Sequence, residues 1–260
     1  IPVTLPVIDL ERTAGGLDVI KKGGGMQTIS LRLIGRDGDQ YVLRSIDKDP
    51  EPTIPAYLRE TVVEDIIQDQ ISAMHPYGAI VLPKLGDAAG IYHTAPRLVV
   101  IPENADRLGI YKEMFGGMMA LFEIRPDEDQ SDEDRLGNPD NIIGSPKLFE
   151  ELTADNDQVV DQPFYARNRL FDMWIGDWDR HADQWRWAAF EPFELDPTLE
   201  GEARTQGKVH RAVPRDRDFA FFKFDGLLAR VARNSGIEQF RRYTNFFRGF
   251  HDLYGLNFNG

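Results

Sequence analysis

The 260-residue sequence contains no cysteine and only five histidines. Without thiols there is no disulfide, no thiolate nucleophile and no Cys-ligated zinc, which removes several enzyme classes together. His75, His93, His210 and His251 stand at no ligand spacing. A two-metal phosphoesterase needs several imidazoles around closely spaced ions, and only His181 is placed to serve. Basic charge is also short: 30 Lys and Arg against 43 Asp and Glu give a formal net charge of -13. That balance opposes non-specific attraction to nucleic acid or an anionic membrane, so the expected partners are small or neutral molecules and not nucleic acid. No run approaches the ~20 apolar residues of a membrane span. The opening "IPVTLPVIDL" lacks a methionine and the basic flank of a signal peptide, and reads as the start of an excised domain. The compartment stays open between cytoplasm and bacterial cell envelope.

What is present suits a substantial core. At 42% hydrophobic, the chain has enough apolar material for one large domain or two lobes. "KKGGGMQTISLRLIGRDGDQYVLRSIDKDP" reads as a glycine run followed by a β-hairpin: Leu31 and Leu33 alternate with Arg32, Asp37-Gly38 turns the chain, and Tyr41 to Ile46 returns it. From Thr61, Val63, Ile66, Ile67, Ile71 and Met74 recur at helical spacing and end before Pro76. "RLVVIP" and "GGMMALFEIRP" read as buried strands. "RPDEDQSDEDRLGNPDN" and "TADNDQ" read as solvated loops or a mobile insertion. A helix is expected from Pro163 to Ile175, stopped by Gly176. "QWRWAAF" and "KVHRAV" then pair as an antiparallel hairpin, which brings Gln184 to the same end as Asp216 and Asp218. The tail from Gly236 is expected to be helical.

The stretch "WIGDWDRHADQWRW", Trp174 to Trp187, sets three aspartates, two arginines and a histidine among the four tryptophans of the chain. A core tolerates such charges only when they are paired or bound to metal. An acidic residue before an arginine and a histidine, an amide a few positions on, and an aspartate returned by a hairpin are the parts of a phosphotransferase. One carboxylate orients the acceptor hydroxyl, while an amide oxygen and a second carboxylate hold magnesium against nucleotide phosphates. Upstream, glycines let a backbone approach phosphates closely, and a cation on the following strand can contact them.

"DRHADQW" resembles the D-R-G/H-x-x-N catalytic loop of the atypical kinase-like superfamily, which includes type II phosphatidylinositol 4-kinases, HipA toxins, secretory-pathway kinases and spore-coat CotH kinases. "VPRDRDFAF" resembles the P-x-D-x-D-x-x-F metal segment of the CotH proteins. The resemblance implies an α+β, two-lobed kinase-like fold, with an antiparallel-sheet N-lobe over residues 1–126, a mainly helical C-lobe over 127–260, and a nucleotide between them. It implies Mg-dependent (or Mn-dependent) transfer of a phosphoryl group from ATP to a hydroxyl acceptor. Asp179 would be the catalytic aspartate, with Arg180 and His181 beside it. Gln184, Asp216 and Asp218 would hold the metal. Gly24, Gly25 and Gln27 would cover the phosphates, Arg44 would take the place of the usual lysine, and Glu64 would be its ion-pair partner. Lys48, four residues on, is the other candidate for that cation. The segment also resembles a domain of large bacterial cell-envelope proteins that join a calcineurin-like phosphoesterase to an outer-membrane barrel.

Two departures from the family pattern point to an alternative. Gln184 carries its amide oxygen one methylene further out than asparagine, and Arg44 offers a planar fork where lysine offers a point charge. An inactive nucleotide-binding or assembly domain of a larger envelope protein accommodates both. Structural readings stand beside each residue: the Asp177–Asp183 charges as an ion-pair knot capping a helix, Glu64 as a capping-box partner of Thr61, the glycines as a linker, and Met114, Met118 and Met119 as core filler.

Overall fold

The computed structural model describes residues 4–24, 28–47, 77–177 and 180–221. The helix expected from Thr61 and the tail from Gly236 lie outside the described residues, as do Gly25, Gln27, Lys48, Glu64 and Asp179. The chain is α+β and divides into two compact units. One holds the described residues to Ile80 with Ala95–Arg125; the other holds Val81–Thr94 and the described residues from Pro126 onward.

The first unit is built on a five-stranded antiparallel sheet of β1 (Asp18–Gly24), β2 (Ile29–Ile34), β3 (Gln40–Ser45), β4 (Arg97–Val100) and β5 (Met119–Ile124), in the order β1-β2-β3-β5-β4. Alternation sets its faces, because successive side chains of a strand point to opposite sides. Leu31 stands opposite Leu43, and Leu43 opposite Phe122. These join Leu33, Ile101, Leu108 and Phe115 in one apolar core. Asp37 fixes the β2–β3 turn by accepting from Asp39 N at 3.0 Å and from the Tyr41 hydroxyl at 2.7 Å. The two expected buried strands, β4 and β5, pair with each other across Val99 and Ala120.

The second unit carries α1 (Gly78–Ala89, from Val81 on), α2 (Ser145–Ala154) and α3 (Gln162–Ile175) with a four-stranded sheet, β6 (Asn141–Gly144), β7 (Val159–Val160), β8 (Trp185–Phe190) and β9 (Val209–Pro214), in the order β6-β8-β9-β7. Only β7–β9 is parallel. α3 starts where Asp161 accepts from Phe164 N at 3.0 Å, with Pro163 in the first turn. It stops at Gly176, which takes the left-handed conformation at φ +71°. β8 and β9 form the expected antiparallel hairpin in the register Trp185↔Pro214 to Phe190↔Val209.

The acidic stretch after Arg125 is not a mobile insertion. Glu128 and Ile142 exchange backbone hydrogen bonds at 3.0 and 2.7 Å, Gln130 N bonds Pro139 O at 2.9 Å, and Glu133 accepts from Arg135 N. Leu136 is fully buried beside Ile142, Ala188, Phe190 and Val213 and pins the loop to the sheet. Of "TADNDQ", Thr153 and Ala154 close α2, and Asp155 turns the chain by accepting from Asp157 N.

Candidate functional site

The β8–β9 hairpin determines what meets at its open end. Beyond the last ladder pair, Arg215 N donates to Gln184 O at 2.8 Å, so the turn Ala182–Gln184 and the segment 215–218 run together. Ser145, buried at the start of α2, holds that turn from the other side: its hydroxyl donates to Ala182 O at 2.7 Å and accepts from Trp187 Nε1 at 3.0 Å. Asp216 has a left-handed backbone, φ +56°. Aspartate tolerates this region better than most residues, and such conformations gather where surrounding contacts fix a side chain's direction. Phe221, φ +63°, is a second case, its N bonded to Ile175 O at 2.7 Å.

Behind this end lies a buried ionic knot. Asp172, on α3, is 0% exposed and meets three arginines: Arg169 Nη1 at 3.2 Å, Arg180 Nε at 3.4 Å and Arg217 Nη2 at 3.0 Å. Arg180 also donates to Asp177 Oδ2, to the Arg215 carbonyl, and to Gln184 Oε1 at 3.3 Å. Trp185 lies under two of the guanidinium groups, Arg169 and Arg180, each 5.7 Å from its ring centre. Arg217 stacks on Phe171 at 4.7 Å.

Burial shifts the members of this knot apart. It pushes the Asp177 carboxyl up to about 7, against the pull of Arg180. It pulls Arg217 down to about 10, against the pull of Asp172. Arg180 ends above its ordinary value, because Asp177, Asp172 and Asp216 outweigh the burial that works to lower it. Burying a charge costs free energy unless it is paired, and here pairing is dense but unequal.

Of the residues singled out from sequence, Arg180 and Gln184 are buried, His181 is exposed, and Asp216 and Asp218 are partly buried. The structure brings Gln184 and the 215–218 segment together; Gln184 presents its amide oxygen to Arg180. In the first unit, Gly23, Ser30 and Arg44 stand in one row across three strands. Gly24 has φ +76°, and a β-carbon there would lie 2.2 Å from Thr28 O, so this turn requires glycine. Sequence reasoning missed Arg169, Asp172, Arg217 and Ser145. Among the described residues, no three His, Asp or Glu side chains are grouped to hold a metal ion, and no helix is long and apolar enough to cross a membrane.

No protein-family model, curated protein or solved structure matches the chain.

Proposed function

We propose that the chain is a Mg-dependent phosphotransferase of the atypical kinase-like superfamily, its two units being the N- and C-lobes, which moves a phosphoryl group from ATP to a hydroxyl acceptor. The observation that carries this reading is the Arg215–Gln184 backbone bond beyond the β8–β9 ladder, which holds the two motif-bearing segments side by side. The donor set suits magnesium. Asp216 and Asp218 supply hard carboxylate oxygens and Gln184 an amide oxygen, and Mg²⁺ takes one or two carboxylates with water and substrate phosphates completing its shell. When bound, the ion neutralises phosphate charge. Asp179 orients the acceptor hydroxyl; Arg180, buried and held by its partners, positions the loop; His181 faces solvent beside it. The row Gly23–Ser30–Arg44 offers close backbone approach with a cation, which suits nucleotide phosphates.

A second reading, an inactive nucleotide-binding or assembly domain, is favoured by the engagement of Gln184 Oε1 with Arg180. Calorimetric titration with a non-hydrolysable ATP analogue, with and without magnesium, and an ATP turnover assay separate the two. Asp216→Asn is expected to weaken Mg-dependent binding. Asp179→Asn is expected to leave affinity nearly intact while turnover falls by about 10²–10⁴-fold, as for a lost acid/base group. Binding without turnover supports the second reading. Absence of metal-dependent affinity up to millimolar nucleotide sinks the phosphotransferase reading and leaves, of the second, the assembly domain.

A further inference from the structure

We infer that Asp172 is the positioning residue of this site: its single carboxylate fixes the segment entering β8 and the segment leaving β9 relative to each other. The two oxygens divide the work. Oδ2 meets Arg180 Nε at 3.4 Å and Oδ1 meets Arg217 Nη2 at 3.0 Å. Each arginine then carries the constraint outward. Arg180 reaches Gln184 Oε1 and the Arg215 carbonyl, and Arg217 stands between Asp216 and Asp218 in the chain. Beyond the last ladder pair, Trp185↔Pro214, the segments stay joined through a backbone bond from Arg215 N to Gln184 O. A left-handed residue such as Asp216 takes its direction from what holds its neighbours, and Arg217 is held by Asp172.

Stability alone is a weak reason for this arrangement. Buried ion pairs replaced by well-packed apolar groups are often no less stable, whereas a charge bonded on both sides fixes direction. Arg169 provides the control. It meets Oδ2 of Asp172 at 3.2 Å from the same helix, one turn away, and belongs to neither segment.

The test has two readouts, the second of which rests on the proposed phosphotransferase activity while the first does not. Amide hydrogen exchange on the full chain reports the Arg215 N–H directly. Asp172→Asn, and the charge-balanced pair Asp172→Asn with Arg169→Met, should each speed exchange at Arg215 at least about tenfold, while amides in the ladder interior around Ala188 keep their protection. Arg169→Met alone should leave Arg215 within about threefold. Calorimetry with the ATP analogue and magnesium should then show affinity falling about tenfold or more in both Asp172 variants and not in Arg169→Met. Unchanged Arg215 exchange in the charge-balanced variant, or equal acceleration throughout the ladder, overturns the inference. Selective loss at Arg215 in a chain that binds no nucleotide upholds the positioning role and overturns the phosphotransferase reading instead.

Discussion

The five-stranded sheet closes over leucines, isoleucines and phenylalanines, whereas the second unit buries three arginines and two aspartates beside its tryptophans. An apolar core is held by area and shape, and neighbours can share a defect. An ionic core is held by direction: each guanidinium and carboxylate needs its own partners at its own angles. The first arrangement makes a tolerant scaffold. The second sacrifices tolerance at the place where two separate chain segments must keep one geometry.

The largest expected effect comes from swapping the same side chain into both cores. Leu43→Met conserves volume in the first unit and should cost less than about 1.5 kcal/mol. Arg180→Met leaves the buried Asp172 and Asp177 short of a partner, and should cost about 3–5 kcal/mol. Arg180→Lys is not a remedy, since a point charge cannot meet the carboxylates, the Arg215 carbonyl and the Gln184 amide together. Urea unfolding decides this, followed by circular dichroism for both variants and by tryptophan fluorescence for Arg180→Met. Equal losses would erase the distinction between the cores.

The second test uses pH, since only the ionic unit should respond to it strongly. Asp177 titrates at about 7 in the fold, above its ordinary 3.8, because of burial. The folded state therefore holds a proton that the unfolded chain has released. The stabilisation is fully present below about pH 3.8 and is lost as pH rises through 7. His210 works in the other direction. Burial, reinforced by Lys208, lowers it from 6.5 to about 4, so the unfolded chain takes up a proton first and stability falls as pH drops from 6.5 towards 4. Urea midpoints measured from pH 4.5 to 8 should rise towards neutrality in Asp177→Asn, where the His210 slope remains. A profile identical to that of the unmutated chain would show that Asp177 is not shifted.

Some of this difference was legible in the sequence, and the rest was hidden for identifiable reasons. Alternation around Arg32 located the β2–β3 hairpin, Pro163 and Gly176 bracketed α3, and the strand-like runs at Trp185 and Val209 found their pairing. Each of these is a local pattern. The knot is not. Asp172 interrupts the apolar stripe of α3 and reads as a solvated position, although Asn168, four residues earlier on the same face, is buried as well. Two polar residues in the buried phase of one helix were the available signal that a partner must exist inside. α1 escaped because Pro83 lies within it, removing a backbone donor where a helix needs one. The acidic stretch after Arg125 is the solvated loop its charge suggests, and two residues, Gln130 and Leu136, anchor it inward against the alternative of a mobile insertion. Met114 and Met119, expected as core filler, are exposed; only Met118 packs on the core.

The smallest expected effect concerns the tryptophans that frame the charged stretch. Their clustering in sequence suggests a common wall, yet the described ones divide. Trp185 and Trp187 are buried with Tyr165, whose ring lies 5.1 and 5.6 Å from theirs, while Trp174 is 69% exposed. Trp174 belongs to an outer face of α3 with Leu170 and Met173, and among the described residues its close ring neighbour is Phe171 at 5.9 Å. A side chain with little area to lose on unfolding contributes little to stability. Trp174→Gln is therefore expected to shift stability by no more than about 0.5 kcal/mol, as for an ordinary surface substitution. Trp185→Ala removes a large buried ring together with the face on which Arg169 and Arg180 rest, and should cost about 3–5 kcal/mol. Chemical denaturation of the two variants side by side measures the contrast. A Trp174→Gln loss approaching that of Trp185→Ala would mean that the outer face of α3 is buried in solution, and that the knot has a wall on both sides.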